Sequence, residues 1–249
     1  MVRRLRAAGC VYAEDEAALL VESAPSPAEL ERMVVERVAG LPLEQILGWA
    51  EFCGLRIVVE PGVFVPRRRT EFLVDQAVAL AGSPAVVVDL CCGSGAIGAA
   101  LAARLPTIEL YASDIDPACV RCARRNITVG PVFEGDLYAP LPTTLRGRVD
   151  LLVVNAPYVP TDAIAFMPPE AREYEPAVAL DGGTDGLHIQ RRVISAAPDW
   201  LAPGGHLLIE TSERQAPDTL ATSGAAGLDG RVTYSEDFDS TVVIGSRRA

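Results

Sequence analysis

The chain has 249 residues, of which 49% are hydrophobic and 22% charged, and its formal net charge is −11. This balance is typical of a globular protein with a core, and no apolar run reaches the roughly 18 residues of a membrane helix. The acidic excess disfavours non-specific nucleic-acid binding, which depends on a basic surface.

The N-terminus does not have the pattern of a secretory signal. Its basic residues, Arg3, Arg4 and Arg6, lead directly to the acidic segment Glu14–Glu16 without a long apolar stretch between them. We therefore expect a cytoplasmic protein without a membrane partner.

The six cysteines have no framework spacing, although Cys119 and Cys122 form a C-x-x-C pair. A zinc site would need two more ligands, and both histidines of the chain lie far along the sequence. We interpret the pair as packing on one face of a helix, because residues three apart share a face.

The first 60 residues predict helices followed by a hairpin. Ser26–Glu29 combines a serine cap, a proline at the first helical position and a glutamate three residues after the cap. Trp49–Phe52 and Leu55–Val59 flank the turn residues at 53–54, which is typical of a β-hairpin. We interpret 1–60 as a small recognition or lid subdomain and 61–249 as the main domain.

The rest of the chain alternates strands and helices. After Thr70, which we expect to cap a helix extending to Leu80, four apolar runs predict strands: Ala85–Leu90, Ile108–Ser113, Asp150–Val154 and His206–Glu210. Helices are predicted between them near 96–104, 116–126 and 184–201. This alternation predicts a doubly wound α/β fold with a mostly parallel sheet, and Arg231–Ser235 with Thr241–Ser246 predicts an antiparallel edge hairpin.

The first of these strands leads into a glycine-rich loop. Gly93, Gly95 and Gly98 form a G-x-G-x-x-G pattern that opens a helix, so a dinucleotide site has to be considered. Asp89 argues against it, because a carboxylate at the strand end would repel a pyrophosphate and attract a cationic ligand. S-adenosylmethionine carries both an ammonium and a sulfonium. We therefore predict that Asp89 and the loop residues bind this cofactor: Cys91, Cys92, Gly93, Ser94 and Gly95.

Acidic residues after the next two strands complete the predicted cofactor site. Asp114 can accept hydrogen bonds from ribose hydroxyls, and Asp116 is either a second ribose ligand or the cap of a helix that begins at Pro117. Asp136, followed by Leu137, either receives the adenine amino group or is an ordinary turn aspartate.

The strand Asp150–Val154 ends in Asn155-Ala156-Pro157-Tyr158. This tetrapeptide resembles the N-P-P-Y signature of methyltransferases that modify amide or amino nitrogens. The whole chain resembles the protein-(glutamine-N5) methyltransferases, through Leu5–Gly9, Pro42–Gly48, Phe64–Glu71, Glu175-Pro176 and Leu180–Leu187.

The resemblance implies a class I S-adenosylmethionine-dependent methyltransferase fold and a glutamine side chain as the substrate. Two oxygens would accept hydrogen bonds from the two N–H groups of the amide: the side-chain oxygen of Asn155 and the carbonyl oxygen of Ala156. Asn155 would also adjoin the cofactor. Pro157 follows, and Tyr158 would pack against the flat amide. The protein partner would present this glutamine on an exposed loop, as in a release factor or a ribosomal protein.

The sequence departs from the family at two places. Ala156 stands where proline is usual, although Pro157 still biases residue 156 towards an extended backbone. Cys91-Cys92 stands where Gly-Thr is common, which adds bulk beside the methionine pocket. We expect these changes to affect rate and substrate more than reaction class.

Two other functions remain open from the sequence. One is an amino-methyltransferase for N6 of adenine or N4 of cytosine, which the net charge of −11 disfavours. The other is a non-catalytic cofactor-binding protein. Arg67, Arg68 and Arg69 are either a solvated run or a contact for a substrate backbone or an RNA phosphate, and direct nucleic-acid binding is expected nowhere else.

Overall fold

The computed structural model describes residues 1–168 and 170–249 with their side chains, and residue 169 by its backbone. The chain begins with four helices: α1 (Val2–Ala7), α2 (Ala13–Ser23), α3 (Pro27–Val38) and α4 (Leu43–Leu47). They share a small core around the buried side chains of Leu5, Leu20 and Met33. The predicted start of α3 is confirmed, because the Ser26 hydroxyl accepts a 3.2 Å hydrogen bond from the Glu29 N–H.

The predicted hairpin is also present, formed by β1 (Trp49–Phe52) and β2 (Leu55–Val58). Cys53 and Gly54 at its turn have φ angles of 51° and 73°, the geometry that matches the twist of antiparallel strands. Asn126 joins this hairpin to the main domain, since its Nδ2 donates to the Val58 carbonyl and its Oδ1 accepts from the Val58 N–H, both at 2.9 Å.

The main domain is built on a seven-stranded sheet of order β5-β4-β3-β6-β7-β9-β8. Its strands are β3 (Ala85–Leu90), β4 (Ile108–Asp114), β5 (Val132–Glu134), β6 (Val149–Val154), β7 (Leu201–Thr211), β8 (Asp229–Ser235) and β9 (Ser240–Ser246). Strands β3 to β7 are parallel, whereas β9 is antiparallel to both β7 and β8. The predicted doubly wound sheet with an antiparallel edge hairpin is confirmed.

Helices cover both faces of this sheet. They are α5 (Glu71–Leu80), α6 (Ala96–Arg104), α7 (Pro117–Asn126), α8 (Pro169–Tyr174), α9 (Ala177–Leu180), α10 (His188–Trp200) and α11 (Ala216–Ala225). Short 3-10 turns lie at Arg68–Thr70, Thr143–Leu145 and Thr161–Phe166. Buried side chains of α5, α6 and α7 share one core with Val87 of β3, and those of α10 share another with Val88. Helix α10 begins later than predicted, because Gly183 and Gly186, with φ of 88° and 76°, keep the preceding segment in turns.

The strand order places a crevice between β3 and β6. The chain moves from β3 outwards through β4 and β5, and then returns to the other side of β3 at β6. At such a reversal the loops at the carboxyl ends of the strands separate and leave room for a ligand. None of the described helices is both long and apolar enough to cross a bilayer.

Candidate functional site

A cavity opens at this crevice and collects most of the residues that the sequence singled out. One part of its wall comes from the loops after β3, β4 and β5, with Cys91–Ser94, Asp114–Asp116, Asp136 and Leu137. The other part comes from the segments before α5 and after β6, with Arg67, Arg69, Thr70 and Asn155–Val159. The cofactor residues and the Asn-Ala-Pro-Tyr segment therefore share one cavity.

The loop after β3 reverses through residues with positive φ: Cys91 (56°), Gly93 (54°) and Gly95 (78°). Gly93 lines the cavity, and a Cβ there would meet no atom within 4 Å, so the missing side chain leaves room for a ligand. Gly95 is not among the residues that line the cavity; a Cβ there would come within 3.0 Å of Ala123 on α7 and of Ile127, which follows that helix. The missing side chain of Gly95 thus makes room for this packing, and its cofactor contact stays a prediction.

Asp89 also lies off the described cavity wall, although the sequence predicted that it faces the ligand. Its side chain is fully buried, and Oδ2 accepts a 2.9 Å hydrogen bond from the Gly98 N–H in the first turn of α6. Side chains alternate along a strand, so Asp89 shares with Val87 the face that α6 covers. Burial, reinforced by the charge of Asp114, raises the pKa of Asp89 to about 7, against the bond from Gly98.

Asp114 and Asp136 lie on the wall, as the sequence predicted. Asp114 accepts 2.9 Å hydrogen bonds from the N–H groups of Gly93 and Asp116, so this carboxylate ties the second loop to the first. Burial raises the pKa of Asp114. Asp136 accepts a 2.5 Å bond from Arg192 of α10, a cavity residue that sequence reasoning missed.

Two neighbouring residues complete this part of the wall. The Asp116 carboxylate accepts a 2.8 Å bond from the Ala118 N–H, so Asp116 is the cap of α7, one of the two roles that the sequence left open. Leu137 has a φ of 49°, and its carbonyl accepts a 2.8 Å bond from the Ser113 hydroxyl. The contact from Ser113 holds this strained turn beside the cavity.

Carboxylates predominate among the charged groups that act on the Cys91 thiol of the glycine loop. Burial raises the pKa of this thiol, the charges of Asp114, Asp89 and Asp136 raise it further, and the charge of Arg192 opposes the rise. A cationic ligand is stabilised in such a field, and a pyrophosphate is repelled.

Asn155 follows β6, and its side chain has a defined orientation. Nδ2 donates a 3.2 Å hydrogen bond to Oγ1 of Thr70, so the NH2 end of the amide is engaged and the oxygen end remains to accept. Thr70 stands at the cap position of α5 but makes no capping bond with its side chain. Thr70 thus occupies the predicted cap position, but its hydroxyl bonds to Asn155 instead of to the helix backbone. Ala156 is buried and, with Pro157, lines the cavity beside it.

Tyr158 is linked to a buried glutamate that the sequence did not reveal. Its hydroxyl donates a 3.3 Å bond to Oε1 of Glu210, at the end of β7, and Arg69 lies 3.5 Å from the same oxygen. Burial raises the pKa of Glu210, while hydrogen bonding from Thr70 and the charge of Arg69 oppose that rise. An acid that ends an otherwise apolar strand is the signal that could have identified this residue.

The three consecutive arginines have different partners. Arg67 donates a 2.7 Å bond to Glu175, and Arg69 pairs with Glu210. The Arg68 guanidinium lies 5.6 Å from the centre of the Phe238 ring. Two of these three residues thus line the cavity and pair with buried carboxylates, so the run is not a simple solvated patch.

The C-x-x-C pair lies on α7 with both side chains buried. Cys122 donates a 3.2 Å bond from its thiol to the Val58 carbonyl, and both cysteines pack with Val63. Cys119 also reaches the cavity wall. The observed contacts of the pair are packing contacts between α7 and the segment after the hairpin.

The fold and the crevice define a Rossmann-like methyltransferase, and comparison with known proteins agrees. A solved methyltransferase from Pyrococcus furiosus superposes with a TM-score of 0.61 at 17% identity, covering 88% of this chain and 98% of that one, which establishes the fold alone. Residues 54–167 match the methyltransferase small domain family.

Sequence relatives define the family more narrowly. The release factor glutamine methyltransferase of Geobacter sulfurreducens is 40% identical over 219 residues, which span 86% of this chain and 76% of the relative. The chain belongs to the release factor glutamine methyltransferase family. A further relative, 4-amino-L-phenylalanine/4-methylamino-L-phenylalanine methyltransferase of Streptomyces pristinaespiralis, is 36% identical over 82% of this chain and 72% of its own length.

Proposed function

We propose that this protein transfers a methyl group from S-adenosylmethionine to the side-chain amide nitrogen of a glutamine in a protein substrate. The observation that carries the proposal is the oriented Asn155 side chain, whose Nδ2 is held by Thr70 in the same cavity as Asp114. The names of the relatives at about 40% identity, release factor glutamine methyltransferases, support a release factor as the substrate.

The residues of the first part of the cavity fit the proposed cofactor. The open space at Gly93 allows a ligand to approach the backbone, and the carboxylates around Cys91 favour a ligand of positive charge. We propose that Asp114 accepts from the ribose hydroxyls and that Asp136 and Leu137 border the adenine. S-adenosylmethionine supplies, when bound, a methyl group on a cationic sulfur.

The residues of the second part of the cavity suit a planar amide as the methyl acceptor. An amide nitrogen is a weak nucleophile, because its lone pair is delocalised into the carbonyl. Acceptors at Oδ1 of Asn155 and at the Ala156 carbonyl would hold both N–H groups and fix the direction of the nitrogen lone pair. Tyr158, fixed by Glu210, would pack against the amide plane. Orientation therefore takes the place of a strong base, and the proton leaves after the transfer.

We propose that residues 1–60 assist in recognising the protein substrate. The N-terminal helices have their own core, and Phe52 of the hairpin reaches the cavity wall near Phe64. A segment that is packed beside the entrance can contact parts of a large substrate outside the cavity.

A second candidate is methylation of the aromatic amine of a free amino acid. The Streptomyces pristinaespiralis relative named for that substrate favours it, at 36% identity. An aromatic amine also presents two N–H donors, so Asn155 alone does not distinguish the two substrates. A nucleic-acid substrate has less support, because Arg67 and Arg69 are paired with buried glutamates rather than left for phosphates.

The test uses the purified protein, methyl-labelled S-adenosylmethionine and a release factor, with 4-aminophenylalanine and duplex DNA as competing acceptors. We expect label on one glutamine of the release factor, located by mass spectrometry. Asp114→Ala is expected to weaken cofactor binding by about 1–3 kcal/mol. Asn155→Ala is expected to keep most of that binding and to lower turnover by about a hundredfold. Label on the free amino acid or on DNA would assign the other substrates, and absence of turnover with retained binding would indicate a non-catalytic protein.

A further inference from the structure

Glu175 is a buried carboxylate on the cavity wall to which the chemistry above assigns no role. It lies between α8 and α9, and its side chain is only 1% exposed. Its Oε1 accepts a 2.7 Å bond from Arg67 and a 3.3 Å bond from the Val65 N–H. Its Oε2 is buried and has no donor among the described residues.

An acceptor in this position is costly without a donor. Leaving a buried polar atom unsatisfied destabilises the folded protein, and such atoms are uncommon. Burial also raises the pKa of Glu175, although the charge of Arg67 opposes the rise. A ligand group that donates to Oε2 would remove the cost, and the position on the cavity wall makes that possible.

Glu175 lies on the part of the cavity that we assign to the methyl acceptor. Its partner Arg67 is three residues before Thr70, the residue that bonds to Asn155. The charge of Arg67 is also close enough to Tyr158 to lower the pKa of that phenol, against the larger effect of burial. Glu175 therefore lines the same cavity as Asn155 and Tyr158, the residues that would hold the amide.

The charge of this pair selects the kind of donor. An ammonium group next to Glu175 would also meet the Arg67 guanidinium, whereas a neutral N–H would not be repelled. Arg67 has further N–H groups, its side chain is one-third exposed, and a main-chain carbonyl is a suitable acceptor for them. One acceptor and one donor side by side match the N–H and C=O of a peptide backbone.

We propose that Glu175 and Arg67 form a subsite for the main chain of the substrate, in which Oε2 of Glu175 accepts one peptide N–H. This inference rests on the proposed function and makes it more specific, because the subsite favours a peptide over a free amino acid with its charged ammonium.

The test combines a variant with modified peptides. Glu175→Gln keeps the side-chain shape and an oxygen for Val65, but places an NH2 group where Oε2 stands. The substrates are a release-factor loop peptide and a series in which single main-chain N–H groups near the glutamine are replaced by ester oxygens. For the native protein we expect one ester to raise KM about tenfold, with kcat changed far less, as for the loss of one hydrogen bond.

In Glu175→Gln, the unmodified peptide should already have a KM about tenfold higher, and the same ester should cause no further increase. Glu173→Gln, an exposed glutamate on α8, is the matched control and should behave as the native protein. If the ester weakens native protein and Glu175→Gln equally, the subsite is refuted while the proposed function stands. If the native protein methylates no protein or peptide, the proposed function fails, and the subsite is refuted with it.

Discussion

The orientation of the Asn155 side chain depends on two residues that are distant in the sequence, Thr70 and Glu210. The Thr70 hydroxyl accepts from Nδ2 of Asn155, so its own hydrogen is available for another acceptor. Burial raises the pKa of Glu210, and hydrogen bonding from Thr70 opposes this rise, so the carboxylate of Glu210 is the candidate acceptor for that hydrogen. A Thr70 hydroxyl that donates its hydrogen to Glu210 would keep its oxygen for the NH2 end of Asn155.

Removal of the Thr70 hydroxyl should therefore reduce catalysis more than binding. Thr70→Val keeps the side-chain shape but frees the Asn155 amide to turn its NH2 group towards the substrate. We expect kcat to fall about tenfold or more, with cofactor binding nearly unchanged. Thr70→Ser, which restores the hydroxyl, should recover most of the rate in steady-state assays.

Thr211→Val is the matched control, since Thr211 is a buried threonine at the end of β7 outside the described cavity wall. Its rate should stay close to that of the native protein. If Thr70→Val kept the native kcat, the orientation of Asn155 would have to come from other contacts.

At the scale of secondary-structure elements, Arg37 links the N-terminal helices to the segment that leads to Glu175. It lies on α3 and is buried, with Nε donating a 2.6 Å bond to Glu16 of α2. Its Nη1 pairs with Glu170 of α8. One side chain thus connects three helices, two of which are remote in sequence from α8.

Arg37→Ala should destabilise the protein strongly. It would leave the nearly buried Glu16 without its partner, and breaking a buried ion pair costs about 3 kcal/mol. Urea unfolding, followed by circular dichroism, would measure this loss as a lower midpoint.

Arg32→Ala on the same helix is the control. Arg32 is half exposed and pairs with Glu29 and Glu36 on one helix surface, where ion pairs contribute little. We expect its unfolding midpoint to stay close to that of the native protein. Equal destabilisation by the two variants would contradict a special role for Arg37.

At the scale of the whole molecule, the burial of Asp89 couples stability to pH. Burial raises its pKa from 3.8 to about 7 in the folded protein. Between these two values the unfolded chain has released a proton that the folded chain retains. The free energy of unfolding therefore decreases as the pH rises through this window, by up to about 1.4 kcal/mol per pH unit for this group.

Asp89→Asn should remove this contribution, because an amide keeps an acceptor for the Gly98 N–H but does not ionise. We expect the variant to gain stability relative to the native protein as the pH rises from about 4 to about 7, measured by urea unfolding at each pH. Asp185→Asn is the control: the Arg191 side chain lowers the pKa of Asp185 to about 2, so its charge does not change in this range. A constant difference between Asp89→Asn and the native protein would show that Asp89 does not titrate there.

The features that depend on neighbours along the chain were predictable from the amino-acid sequence alone. Alternating apolar strands and helices predicted the doubly wound sheet, and a serine followed by proline and glutamate predicted the start of α3. The apolar runs placed Asp114 and Asn155 at the ends of β4 and β6, and both line one cavity. These predictions hold because hydrogen bonding within helices and side-chain alternation along strands are short-range.

The tertiary structure alone decided the contacts between residues that are far apart in the chain. Thr70 bonds to Asn155, 85 positions away, instead of capping its own helix. Glu175 meets Arg67 across 108 positions, and Asp89 turns under α6 rather than towards a ligand. Which of several possible partners a side chain bonds to depends on its burial and on the geometry of the groups around it. Burial and geometry are fixed only when the sheet brings its strand ends together.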